Sequence, residues 1–240
     1  VEETTVLVLG DHGTVLSDLS DRIRRHGYRA VRAKTPHDAI DIAAERGFRF
    51  AVGLIESGLA ALDLRPALDL LRNRAGAPDM LMIAMGEMPD TAERARLRAA
   101  GIQQALWEPV GDHALLFHLN RATSSCGAHL RAAQRVPTEW QTRVMVAGRA
   151  KQAFVYSLST GGAFLATERP SMRGAELAVE LPLPSGRVSL LGRVLYTNVP
   201  GNLKRDHLPT GMGIAFVRTP PDQAAALEAE VGGMAARFFV

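Results

Sequence analysis

Apolar positions in the first half of the chain switch repeatedly between two periods. Thr5-Val6-Leu7-Val8-Leu9 is a continuous apolar run of strand length, and Val15, Leu16, Leu19 and Ile23 follow at helical spacing as far as Gly27. The succession then repeats. Residues 28–33, 50–55, 80–85 and 104–107 read as strands, and residues 36–46, 66–74, 89–100 and 112–122 as helices. Five apolar runs separated by helices predict a parallel sheet covered on both faces, an α/β doubly wound arrangement, because each parallel crossover needs a helix.

After residue 122 the pattern changes. Ala122 to His129 is small and polar with little periodicity, which predicts a linker at 123–130. Beyond it, residues 142–146, 153–158, 162–167, 176–181, 188–198 and 213–217 read as short strands separated by Gly, Pro and Asn, the pattern of a barrel or sandwich. A closing helix over 220–230 starts on Pro220-Pro221, and Gly232-Gly233 is expected to end it. The predicted organisation is one domain at 4–122 and a second at 131–240.

Composition agrees with two globular domains. The chain has 240 residues, of which 47% are hydrophobic and 22% charged, with a mean hydropathy of zero. Disordered and fibrous classes are excluded on that balance. The most apolar stretches, 50–55 and 80–85, fall far short of the about 20 residues that span a bilayer. Val1 to Thr5 is acidic and lacks the basic segment of a secretory signal, and Cys126 is alone, so a reducing, cytoplasmic location is expected. Charge is uneven: residues 1–122 hold 15 Lys and Arg against 17 Asp and Glu, whereas 123–240 hold 13 against 8. The second half is therefore the anion-seeking half.

The β/α order, Gly27-Tyr28 after the first helix and Ala99-Ala100-Gly101 before the last strand resemble response-regulator receiver domains. The resemblance implies paired acids after the first strand, a phosphoacceptor Asp after the third, a hydroxyl after the fourth and a Lys before Pro after the fifth. This chain places Asp11 alone, Glu56, Ala84 and Glu108 at these positions. Phosphoryl transfer depends on neutralising charge with metal and cation together, so a degenerate receiver without aspartyl phosphorylation is expected. For Glu56 three readings stand: a standing mimic of a phosphorylated Asp, a residue of a protein docking surface, or an ordinary loop carboxylate.

In the second half, Arg131-Ala132-Ala133-Gln134-Arg135 is followed, 22 residues after its second arginine, by Ser157-Leu158-Ser159-Thr160-Gly161-Gly162. The RxxxR spacing occurs four times in the chain, but only Arg131/Arg135 lies between a linker and a strand-rich region. With Gly211-Met212-Gly213-Ile214-Ala215-Phe216 before a final helix, these residues resemble the PilZ domain, whose pattern is RxxxR followed by [D/N]xSxxG. The resemblance implies a small antiparallel β-barrel with a C-terminal helix that binds cyclic di-GMP through Arg131, Arg135, Ser157, Ser159 and Gly162. A guanidinium suits this ligand because it pairs bidentately with phosphate, bonds the O6/N7 edge of guanine, or stacks on its ring. Ser157 stands where the family has Asp or Asn. Losing one charge-assisted hydrogen bond costs about 1.5–3 kcal/mol, roughly ten- to hundredfold in affinity. Solvated charges for the arginines, and plain turn chemistry for Ser159 and Gly162, are the alternatives.

The seven histidines show no ligand spacing and one cysteine cannot build a zinc site, so no metal or cofactor is expected. No GxSxG elbow, HExxH helix or phosphate loop occurs, which argues against an enzyme. Nucleic acid is disfavoured because few aromatics are available for stacking. The expected function is a bacterial effector that senses cyclic di-GMP and relays it to an unidentified protein partner in motility or polarity control. The rival is a ligand-free adaptor working only through protein interactions.

Overall fold

The computed structural model describes residues 4–11, 13–59, 64–124, 134–201 and 208–240. The chain divides into two compact units, Val1–Ser125 together with Arg237–Val240, and Cys126–Ala236.

In the first unit, strands β1 (Thr5–Leu9), β2 (Arg29–Ala33), β3 (Phe50–Glu56), β4 (Leu81–Gly86) and β5 (Gln104–Trp107) alternate with helices α1 (Thr14–Arg25), α2 (Pro36–Arg46), α3 (Leu64–Arg74), α4 (Thr91–Ala99) and α5 (Asp112–Thr123). The strands form one parallel sheet in the order β2-β1-β3-β4-β5. β1 is buried along its whole length, as a strand with helices on both faces must be. One face of the sheet carries Leu7, Leu9, Ile55 and Ala84 against α2, α3 and α4, and the other carries Val6, Val8, Leu54 and Ile83 against α1 and α5. Helix starts follow local chemistry. The Thr35 hydroxyl accepts from the Asp38 N–H while the Asp38 carboxylate accepts from the Thr35 N–H, with Pro36 opening α2.

In the second unit, β6 (Val136–Val146), β7 (Arg149–Ser159), β8 (Gly162–Ala166), β9 (Glu176–Leu183), β10 (Gly186–Asn198) and β11 (Gly211–Phe216) close into an antiparallel barrel in the order β10-β11-β8-β7-β6-β9. Closure leaves no sheet edge. Val155, Leu158, Phe164, Val179, Leu190, Val194 and Ile214 are among its buried residues.

Both expected folds are present: a doubly wound five-stranded parallel sheet, then a small barrel with a final helix. Most bounds shift by a few residues, and two elements differ more. β6 begins at Val136, ahead of the expected 142, because an irregularity in its pairing with β7 between Pro137 and Trp140 breaks the alternation. The final helix α6 (Pro221–Phe238) does not stop at Gly232-Gly233 but runs through both glycines. Its last residues, Arg237 and Phe238, group with the first unit. Among the described residues no helix is long and apolar enough to cross a membrane.

Candidate functional site

In the barrel, strand pairing converts a long sequence separation into proximity. Val136 lies opposite Leu158 and Pro137 opposite Ser157, so Arg135, just before β6, is brought to the end of β7. An Arg135 Nη N–H donates to Ser157 Oγ at 3.5 Å, a long hydrogen bond. β7 carries an irregularity on its other side too: Val155 pairs with Leu165 and Ser157 with Phe164, leaving Tyr156 as the extra residue. The bulge buries Tyr156, Ser157 and Leu158 in succession, with Ser157 only 2% exposed. The Tyr156 ring meets Phe164 edge-on at 5.9 Å.

Ser159 and Gly162 close the turn between β7 and β8. The Ser159 hydroxyl donates to the Gly162 carbonyl at 3.0 Å, and the Phe216 N–H reaches the Gly161 carbonyl at 3.0 Å. Gly162 pairs with Ala215 of β11, and a Cβ there would stand 2.2 Å from the Ile214 carbonyl oxygen. Only glycine allows that approach. The structure thus gathers Arg135, Ser157, Ser159 and Gly162 at one end of the barrel. Arg131 lies outside the described residues.

The receiver-type positions meet at the C-terminal ends of the parallel strands, around an open cleft of about 880 Å³. Asp11, Glu56 and Glu108 line it. The Asp11 N–H donates to Glu56 Oε2 at 3.0 Å. A Cβ at Gly10 would fall 2.6 Å from that same oxygen, so glycine is what lets the carboxylate cross above β1. Ala84 does not reach the cleft. It is fully buried in β4 between Ile55 and Ala105, and β4 and its exit present Met85, Gly86 and Glu87 instead. Ser57 and Arg22 also line the cleft, and sequence reading passed over both. Ser57 had one signal, its place directly after Glu56. Arg22, on α1, had none, because its arrival depends on how the helix packs.

Arg22 is the one Lys or Arg among the lining residues, and it is already engaged. Its Nε donates to Asp112 Oδ1 at 2.6 Å and its Nη2 to the Val110 carbonyl at 2.6 Å. The Arg22 hydrogen bond holds the Asp112 carboxyl below the usual carboxylate range. With Asp11, Asp18, Glu56, Glu87 and Glu108 facing it, the cleft is an acidic surface rather than an anion site.

The family model of the PilZ domain matches residues 129–233. The second unit carries a PilZ domain. A PilZ domain structure of CeSA from a cellulose synthesizing bacterium is similar at 17% identity, covering 42% of this chain and 98% of that one, with a TM-score of 0.34. Over the first unit, chemotaxis protein CheY4 of Vibrio cholerae is similar at 18% identity, covering 50% of this chain and 98% of that one, with a TM-score of 0.43. The receiver domain of a sensor histidine kinase from Pseudomonas aeruginosa, with a magnesium ion coordinated in its active site cleft, is similar at 23% identity, covering 51% and 99%, with a TM-score of 0.44. No curated protein matches the chain. The protein joins a doubly wound α/β unit to a PilZ domain.

Proposed function

We propose that the protein is a non-enzymatic bacterial signalling effector of the cytoplasm that binds cyclic di-GMP at Arg131, Arg135, Ser157, Ser159 and Gly162 of its PilZ domain. The first unit, unable to accept a phosphoryl group, passes the change to a protein partner in motility or polarity control. The observation that carries this reading is the placement of the Arg135 guanidinium against Ser157, two residues 22 apart in sequence and 3.5 Å apart in space, within a matched PilZ domain. The Arg135 guanidinium has the planar donors to pair with a phosphate or to bond a guanine edge. Binding energy then goes into the arrangement of chain that the ligand prefers. Isothermal titration of the intact protein with cyclic di-GMP tests it. Saturable heat in the micromolar range, lost in Arg131→Ala and in Arg135→Ala, is expected; absence of heat, or heat indifferent to both changes, overturns it.

A second reading, a ligand-free adaptor, draws support from Ser157. Its hydroxyl is almost fully buried and too short to engage guanine N–H groups as a carboxylate would. If Ser157→Asp creates binding that the parent lacks, the adaptor reading replaces the first.

A further inference from the structure

The outer edge of β5 is not left open. Phe239 forms an antiparallel bridge with Gln104, and the Val240 N–H donates to the Gln103 carbonyl at 3.2 Å. Two arginines of α4 clamp the same segment from the side: Arg94 Nη2 donates to the Phe239 carbonyl at 3.0 Å and Arg98 Nε to the Val240 main-chain oxygen at 2.8 Å. From α5, the Arg121 guanidinium lies 5.8 Å from the centre of the Phe239 ring, within cation–π range. Phe238 packs with the core on the α1/α5 face of the sheet and Val240 with the core on the other face, so the segment straddles the sheet edge. Arg94 and Arg98 are therefore receptors for main-chain oxygens.

An edge strand offers unpaired N–H and C=O groups to any extended chain, and a peptide that adds there takes its affinity from main-chain bonds and its specificity from side-chain pockets. Here both parts are present, with guanidinium donors replacing most of the strand ladder and the His118 ring and Arg121 guanidinium beside the phenylalanine rings. We propose that the β5 edge, with Arg94, Arg98 and Arg121, is a docking groove for extended aromatic segments, and that this chain's own residues 238–240 are its resident occupant. The groove is independent of the cyclic di-GMP reading, since none of its residues belongs to that site.

The test removes residues 238–240 and titrates the shortened chain with a labelled, end-blocked peptide of residues 234–240, following fluorescence anisotropy. Saturable binding is expected, at least tenfold weaker in the full chain, whose own segment competes, and at least tenfold weaker when the shortened chain also carries Arg94→Ala and Arg98→Ala. No binding by a folded shortened chain, or equal binding by the full chain, overturns the proposal. Should the shortened chain not fold, hydrogen exchange of the full chain decides. Arg94→Gln with Arg98→Gln is expected to speed exchange of the Val240 amide at least tenfold, and an unchanged rate overturns the groove.

Discussion

At Gly162 a side chain as small as a methyl group has nowhere to go. The obstacle is the Ile214 carbonyl, a backbone atom of the paired strand, and it cannot swing aside as a flexible side chain could. Gly162→Ala is expected to force β8 from β11 and to cost about 1–3 kcal/mol of barrel stability, the range of overpacking. A lowered midpoint in urea, measured without ligand, checks this and separates the structural duty of Gly162 from any ligand contact. Glu56 poses the opposite case, a residue whose chemistry is legible and whose consequence is negative. Its carboxylate accepts the Asp11 N–H, and Arg22, the one Arg or Lys among the described lining residues, is committed to Asp112 and Val110. A transferred phosphoryl group would meet carboxylates without a free cation beside it. Incubation with acetyl phosphate and Mg²⁺ is expected to leave the intact mass unchanged, and a gain of one phosphoryl group would refute this. Asp11, Glu56 and Glu108 were legible because they sit at strand exits, where a parallel sheet always gathers side chains. Ala84 lies within the strand rather than at its exit: the apolar run around it hides where the strand ends, and the cleft is lined by the next residues, Met85 and Gly86.

Among the elements, strands and helices of the first unit were readable because each burial pattern is complete within one segment. α6 was not. Gly232 and Gly233 read as a stop, since each costs a helix about 1 kcal/mol relative to Ala. The helix nevertheless continues to Phe238, where packing of Phe238 and Val240 against the cores of the first unit is a gain to set against the glycines. That gain is tertiary and invisible to local propensity. Both glycines are exposed, lack a left-handed φ, and have no atom within 4 Å of a built Cβ. Gly232→Ala and Gly233→Ala are therefore expected to stabilise the protein by about 0.8–1 kcal/mol each. Calorimetry should show the transition move up by about 2–4 °C per change. A drop would mean that the helix needs its glycines for a contact that the backbone geometry does not reveal. β6 gives the same lesson in a strand, where the irregularity between Pro137 and Trp140 erased the alternation that sequence reading depends on.

At the scale of the whole molecule, one buried histidine of the first unit contributes a definite share of the pH response. His118 is fully buried on α5, and its Nδ1 donates to Gln104 Oε1 at 3.1 Å. Its Nε2 has no partner among the described residues, and the rings of Phe117, Phe238 and Phe239 surround it. Burial, and secondarily the charge of Arg121, lowers its pKa from 6.5 to about 3. The unfolded chain therefore binds a proton that the folded chain refuses between those two values. Stability from this group is complete above pH 6.5 and is lost as pH falls toward 3, with a slope approaching about 1.4 kcal/mol per pH unit. Gln104 also carries the bridge to Phe239, so the same residue links the histidine to the docked segment. In a Trp140→Phe background Trp107 is the sole tryptophan and reports on the first unit. Urea midpoints followed by its fluorescence are expected to fall steadily from pH 7 to 4.5, and His118→Leu is expected to flatten that fall while shifting the neutral-pH midpoint by a constant packing term. Parallel curves for the two proteins would place the acid sensitivity elsewhere, in the carboxylates that line the cleft.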